Sequence, residues 1–552
     1  MRSIAFIGAG PTTLYTLSEL LRLGARGGRF VVFEARSSAG QGMPYRADWN
    51  DPAMLANIAG AEIPPLAQTL LSWLQTQAAP ELSGLGVDLG RVDDRTFVPR
   101  LALGRYFEAQ FETIVAGLQA LGNVVEVRTG QRVADISRRP DGMRLTCTTS
   151  RPGDVTQALF DQVVLATGHQ WPSPCLARPG CFRSPWPASA LAVVGPVDIA
   201  VRGSSLSAID TVFALAQRHG TFVTGPDGVV YRPGPGSGSF RVTLMSRKGL
   251  LPEADFYFPL PHAPTDICTP DAVDSLIREG RQTLLDDVFD LVRGELELVD
   301  PGYAAAHCPE GSTVETFAEA YFAERVACDP FTWARRNLAD ARAGHAARSA
   351  APWRDALLRL HEIVARIAPY LDDQAFERFS GTLKPVLVDA YGAVPHESVE
   401  RLLALHDAGK LAIIALGEDH ALDFEGVTSG VQLIGPGVRR RFPVFVDATG
   451  QKPLGALEFP FLTLLQQGIV RDAFADGEGP ARGIEIDECF RVVAPGLEPD
   501  RLYCLSLPFI MGRHPFAQGL TSSHAMGRVV ARRLAALLSS GAGKVDTWAA
   551  VA

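Results

Sequence analysis

The chain has 552 residues, 47% of them hydrophobic and 20% charged, enough to bury two or three cores and incompatible with a disordered or fibrous protein. Its net charge of −9 is spread along the sequence without a lysine or arginine run, so nucleic acid is not an expected partner. No apolar stretch reaches the roughly 18 residues of a membrane span, and a strand pattern begins within a few residues of Met1, so a cytoplasmic protein with no leader and no membrane partner is expected.

Residues 4–7 read as a short apolar strand, followed by Gly8-Ala9-Gly10-Pro11-Thr12-Thr13, a helix, and a second apolar strand at 30–33 closed by Glu34. This is the pattern of a dinucleotide site. The first glycine lets the chain turn off the strand, the second lets backbone approach a pyrophosphate, and the helix start offers free N–H groups. Glu34, 24 residues after Gly10, is placed to accept hydrogen bonds from ribose hydroxyls. The third glycine position holds Thr13, so close helix-to-strand packing must be made another way. Beyond Glu34 the small residues of Ala35-Arg36-Ser37-Ser38-Ala39-Gly40-Gln41-Gly42 form a flavin-like extension, where backbone passes close to a pyrophosphate and the ring beyond it.

An irregular, proline-punctuated region opens at 40 and gives way to helices near 66–75 and 101–122, strands at 124–128 and 143–148, and a buried strand over 162–168 that ends Ala166-Thr167-Gly168. A new strand-to-helix start follows at 198–208, where Gly203-Ser204-Ser205-Leu206-Ser207-Ala208 keeps the first glycine and puts small residues at the other two positions. Serine hydroxyls can donate to phosphate, so a second dinucleotide fits here. The composition of 233–239 is that of a flexible surface loop. The next strand, 241–245, runs into Ser246-Arg247-Lys248 where an NAD-specific fold carries an acid, and a cationic pair at that tip suits a ribose 2′-phosphate, which favours NADPH over NADH. From 270 to 410 the pattern is helical, and strand character returns at 411–416 and at 442–450, ending Asp447-Ala448-Thr449-Gly450. Thr167, Gly168 and Asp447 lie at strand ends of the kind where chain crosses between nucleotide domains. A final strand at 501–507 and a helix over 521–538 return to the first domain. Eight cysteines, at 147, 175, 181, 268, 308, 328, 489 and 504, include no C-x-x-C, so neither a zinc site nor a thioredoxin-type pair is expected and no metal is assigned.

Several longer runs carry a resemblance. Gly42-Met43-Pro44-Tyr45, Met54-Leu55-Ala56-Asn57-Ile58-Ala59, Glu62-Ile63-Pro64-Pro65, Ala166-Thr167-Gly168-His169, Leu251-Pro252-Glu253-Ala254-Asp255-Phe256-Tyr257, Asp329-Pro330-Phe331, Pro352-Trp353-Arg354, Ala415-Leu416-Gly417-Glu418-Asp419 and Gln518-Gly519-Leu520-Thr521 resemble the bacterial FAD/NAD(P)-binding flavoproteins called YdhS-like. More distantly the chain is similar to FAD- and NADPH-dependent N-hydroxylating monooxygenases. The resemblance implies an α/β fold of two Rossmann-like dinucleotide-binding domains with a mainly helical insertion: 1–190 with 440–552 for FAD, 191–269 with 405–439 for NAD(P)H, and 270–404 as insertion and cover. It maps FAD contacts to Gly8, Gly10, Pro11, Thr12, Glu34, Gly42 and Met43, and places Asn57 and the run Gln518, Gly519, Leu520 and Thr521 nearer the ring. A helix starting at the last three would aim its positive end at the reduced flavin.

For a monooxygenase, NADPH reduces the flavin, oxygen adds to give a flavin hydroperoxide, and a nucleophilic nitrogen or sulfur takes the oxygen inside an enclosure. Phe256, Tyr257, Trp333, Arg335, Arg336, Trp353 and Arg354 of the helical region are candidates to line a pocket for a carboxylate-bearing amine, although such residues more often build core and solvated surface. His169, His361 and His514 are the available proton carriers, and none is assigned as a catalytic base. Two other classes stay open: a reductase passing electrons to a partner or small acceptor, and a non-catalytic FAD-binding redox sensor. Substrate, oligomeric state and the use of oxygen are not set by the residues.

Overall fold

The structure is a computed structural model that describes residues 1–171, 178–226, 228–473 and 481–542; Cys175 lies outside the described residues. The chain forms two compact units, one of 1–47, 58–170 and 451 onward, the other of 48–57 and 171–450.

Each unit is built on a five-stranded, wholly parallel sheet. In the first unit the order is Leu502–Cys504, Gln162–Leu165, Arg2–Ile7, Gly28–Glu34, Val124–Thr129. In the second it is Cys181–Phe182, Val444–Asp447, Asp198–Arg202, Arg241–Ser246, Leu411–Ala415. The two orders correspond strand for strand. The strand leading into the glycine turn is central, its successor lies on one side, and the strand ending Ala-Thr-Gly lies on the other. These strands are runs of apolar residues buried on both faces, as parallel sheets require: Ile4 to Phe6 and Phe30 to Phe33 in one unit, Ile199 to Val201 and Val242 to Met245 in the other, all at most 1% exposed.

The correspondence extends beyond the sheets. In both units a three-stranded antiparallel meander directly precedes the Ala-Thr-Gly strand, spanning Arg132–Arg139, Gly142–Thr148 and Val155–Phe160 in the first, and Ala421–Asp423, Val431–Gly435 and Val438–Phe442 in the second. The chain leaves the first unit after Gln170 and re-enters it at Gln451, just past the two Ala-Thr-Gly turns. Eight α-helices and one short 3-10 helix lie between Pro270 and Tyr391 among the described residues. Their starts are strongly marked. Thr269, Asp300, Thr313, Asp329 and Asp372 each accept the N3 amide of the helix that follows, and proline takes an early helical position after Thr269, Asp300 and Asp329. No described helix is long and apolar enough to cross a membrane.

Three segments group differently from the boundaries drawn on the sequence. Residues 48–57, 171–190 and 440–450 belong to the second unit. The reason is packing: Met54 is buried with Trp186, Ala188 and Ala214, the Ala188 amide donates to the Trp49 carbonyl, and Cys181–Phe182 and Val444–Asp447 pair as neighbouring strands of the second sheet.

Candidate functional site

The first glycine turn is packed too closely for any side chain. Gly8 has φ +101°, and a Cβ there would run into the carbonyl of Ala166. Thr13, at the third glycine position, is fully buried and donates its hydroxyl to the Gly8 carbonyl at 2.6 Å, so a hydrogen bond rather than a missing side chain joins helix to turn. The helix Pro11–Arg22 starts from Gly10 with no side-chain cap and no acid in its first turn, leaving that end electropositive.

The loop after the second strand folds back onto this turn. The Gly40 amide donates to the Ala9 carbonyl at 2.7 Å, and a Cβ on Gly10 would stand 3.2 Å from the Gly42 Cα. A Cβ on Gly42 would meet the Pro11 ring at 2.6 Å. The result is a bare backbone cradle of Gly8, Gly10, Pro11 and Gly42, with Met43 half-buried beside it. Glu34 accepts the Ala9 amide at 3.1 Å on one oxygen and the Arg36 amide at 2.9 Å on the other. Each oxygen keeps a second lone pair. Arg36 itself is exposed.

Two further elements of the first unit converge there. Helix Leu520–Ala542 begins right after Gly519 and packs along the first helix, with Thr12 and Ser523 hydroxyls 3.2 Å apart and Gly527 so close that a Cβ would lie 3.0 Å from the Thr16 nitrogen. Leu520 is buried and Thr521 half-buried at that helix start. Thr167 and Gly168 are exposed, and Ser506 holds Thr167 through both its amide (3.1 Å) and its hydroxyl (2.9 Å). Ser506 was not singled out in the sequence; its cue is its place just past the strand that pairs beside the Ala-Thr-Gly strand. Asn57 is exposed, at the end of a segment grouped with the second unit.

The second unit repeats the turn. Gly203 has φ +118°, its amide donates to Met245 at 2.7 Å, and a Cβ there would stand 2.7 Å from the Ala448 carbonyl, the counterpart of Gly8 against Ala166. Ser205 precedes helix Leu206–His219 without a side-chain cap bond; it is exposed, with Ser204 and Ser207 half-buried beside it. Asp447 turns inward, accepting the amide (3.1 Å) and hydroxyl (2.7 Å) of Thr449, with Arg202 4.0 Å away.

The cationic pair is divided. Arg247 is exposed, its carbonyl accepting the Gly417 amide at 3.0 Å. Lys248 instead lies 3.5 Å over the ring of Phe322, and burial, reinforced by the Arg247 charge, pushes its pKa down to about 8.

Of the aromatic and cationic residues expected to line an amine pocket, Trp333 and Arg354 join a buried knot around Glu253, and Tyr257 packs edge-on against His345 instead. Glu253, 6% exposed, accepts from Trp333 Nε1 (2.6 Å), Arg354 (2.8 Å) and Asn337, and forms an ion pair with Arg325 at 3.1 Å. Arg325 also reaches Asp389 and the Leu251 carbonyl. Arg354 lies 4.3 Å over Phe256, and Trp353 stacks on Tyr303 at 4.3 Å. Arg335 and Arg336 are surface residues paired with Asp407 and Glu324. Each histidine considered as a proton carrier is driven toward neutrality by burial: His169 and His514 to about 4, and His361 downward beneath the Leu358 carbonyl.

Residues 5–170 match the FAD-NAD(P)-binding family and residues 269–391 the YdhS-like middle domain. The uncharacterized protein YdhS of Escherichia coli (strain K12) is 38% identical over 534 residues, covering 96% of this chain and 97% of that protein. Among solved structures, the ornithine N-hydroxylase KtzI of Kutzneria sp. 744 aligns over 97% of this chain and 99% of its own at 16% identity and TM-score 0.49. The FAD-bound cadaverine monooxygenase DfoA of Erwinia amylovora aligns over 96% and 94% at 13% identity and TM-score 0.49.

Proposed function

The chain belongs to the YdhS-like family, and from that premise we propose that it is an FAD-dependent oxidoreductase driven by NADPH, whose reaction is hydroxylation of the nitrogen of a small, carboxylate-bearing amine by molecular oxygen. The observation that carries the two-cofactor reading is the duplicated turn, in which Gly8 against Ala166 and Gly203 against Ala448 leave no room for a side chain where the chain turns from strand toward the helix start that a pyrophosphate would meet. FAD fits the first turn, which alone has the extended cradle through Gly42 and the free lone pairs of Glu34. NADPH fits the second, where Ser204, Ser205 and Ser207 offer hydroxyls and Arg247 offers an exposed guanidinium for the 2′-phosphate.

When bound, FAD supplies the chemistry of accepting a hydride and passing the electron pair to oxygen. The chain's own residues bind and orient. The start of helix Leu520–Ala542, close to Thr12, offers a positive dipole end to negative charge developing on a bound ring. His169 and His514 stay neutral at physiological pH, and an amine that arrives neutral needs no base from the protein. Amine hydroxylation is supported by the motif resemblance; a reductase is the second reading, supported by Trp333 and Arg354 being held in the Glu253 knot rather than lining an amine pocket.

Stopped-flow absorbance separates these readings. Protein reduced anaerobically with NADPH is mixed with oxygen in the presence of small amino acids and amines. The proposal expects flavin reduction, then a substrate-dependent reoxidation that yields hydroxylated amine. Reduction followed by reoxidation indifferent to every amine supports the reductase, and absence of reduction by either nicotinamide supports a non-catalytic module.

A further inference from the structure

Away from both glycine turns, three side chains of the second unit converge from distant parts of the sequence. Asp255 lies in the segment after strand Arg241–Ser246, His345 in the last turn of helix Pro330–Ala347, and His396 at the first position of helix His396–Asp407. One nitrogen of each imidazole and one carboxylate oxygen of Asp255 all lie within 4.8 Å of one another, and all three residues are half-buried. Among the described residues this is the one group of three such ligands within reach of a single ion. We infer that Asp255, His345 and His396 form a binding site for a divalent transition-metal ion, held by two imidazoles and one carboxylate with a position left for water.

The hydrogen bonding around the cluster fits that role. His396 Nε2 lies 2.7 Å from the backbone carbonyl of Asp255. A carbonyl only accepts, so Nε2 carries the proton and Nδ1 the lone pair. A ring N–H donated to a backbone carbonyl is the usual support of a metal-ligating histidine, because it fixes both tautomer and ring orientation. His345 Nε2 stands 3.0 Å from Asp255 Oδ2, yet is buried without a hydrogen bond of acceptable geometry. Ligand atoms about 2.0 to 2.2 Å from a tetrahedral ion are about 3.3 Å from one another. Spacings between 3.0 and 4.8 Å therefore need small side-chain adjustments rather than movement of the backbone.

The backbone is already tied in place. Ala254 bridges Val394 in parallel; the Asp255 amide donates to the Val394 carbonyl at 2.8 Å, and the Val394 amide to that of Glu253 at 2.9 Å. The Ala254 amide donates to Asn337 on the helix that carries His345. All three ligand-bearing segments are thus joined before any ion enters. Arg342, the nearby cation acting on His396, is paired with Glu400. Imidazole with carboxylate suits zinc and its first-row neighbours better than magnesium or calcium. The rival arrangement is an ordinary ion pair between Asp255 and a protonated His345.

Zinc titration of the full chain, stripped with EDTA and desalted, against a chromophoric zinc chelator tests the site. One equivalent of zinc is expected, with affinity reduced roughly tenfold or more in Asp255→Asn and in the His345→Gln/His396→Gln double variant. Zinc is expected to raise the melting temperature of the parent protein and of neither variant. No stoichiometric binding by the parent, or binding by the variants equal to it, overturns the proposal. X-ray absorption of the zinc-loaded parent needs no variant to fold: two imidazoles with oxygen ligands support the site, and a sulfur ligand refutes it.

Discussion

Glu34 accepts the Ala9 amide on one carboxylate oxygen and the Arg36 amide on the other, and in the proposed FAD site the remaining lone pairs would take the ribose. Glu34→Ala therefore loses both an anchor and a ribose contact, with an expected loss of about 1 to 3 kcal/mol of FAD affinity. The purified variant should show a reduced ratio of flavin to protein absorbance; a fully yellow variant would mean the ribose is held elsewhere. At the second turn the two adjacent cations have separate tasks. Arg247→Ala should weaken NADPH by roughly 1 to 3 kcal/mol and leave NADH almost unchanged, read as the ratio of kcat/KM for the two coenzymes. Lys248→Met should shift that ratio less, because Lys248 is turned onto Phe322. Equal loss for both coenzymes in the arginine variant would remove Arg247 from the 2′-phosphate. The strand tip was legible because its position follows from the strand pattern. The division of labour was not, because it depends on Phe322, 74 residues further on.

Among the elements, the helical region shows how unusual motifs can be structural. Asp329-Pro330-Phe331 is a helix start: Asp329 caps it, Pro330 takes the first position, and Phe331 stacks on His406 at 3.7 Å. Pro352-Trp353-Arg354 starts another helix and sends Arg354 to Glu253. Removing the shared carboxylate strands the buried guanidinium of Arg354 and takes from Arg325 one of its two carboxylate partners. Glu253→Ala should accordingly cost about 3 to 5 kcal/mol of stability, measured by urea unfolding, and Glu253→Gln less, since the amide retains an acceptor oxygen. A loss below 1 kcal/mol would show that the knot is solvated. The helix starts were readable from local residues alone, whereas the knot joins positions 253, 325, 333, 337 and 354, which carry no common spacing.

Taken as a whole molecule, the chain uses one plan twice, and its stability should depend on acid in a defined window. His169 and His514 are held to about 4, chiefly by burial, while an unfolded chain titrates them near about 6.5. Between these values the unfolded state takes up protons that the folded state refuses. Stability is then full above about pH 6.5 and falls as pH drops toward 4, by at most about 1.4 kcal/mol per pH unit for each histidine. Urea unfolding at a series of pH values measures the slope, and His514→Asn should flatten it; an unchanged slope would place the acid sensitivity elsewhere. The residues by themselves determined the two strand-to-helix turns, the parallel α/β class and the helical insertion, because each is written in neighbouring residues and local periodicity. Tertiary structure alone decided the strand-for-strand equivalence of the units, the grouping of 48–57 with the second, the replacement of a third glycine by the Thr13 hydrogen bond, and the meeting of Asp255, His345 and His396. Those depend on which distant surfaces bury one another, and packing between segments far apart in the chain leaves no periodic trace in either.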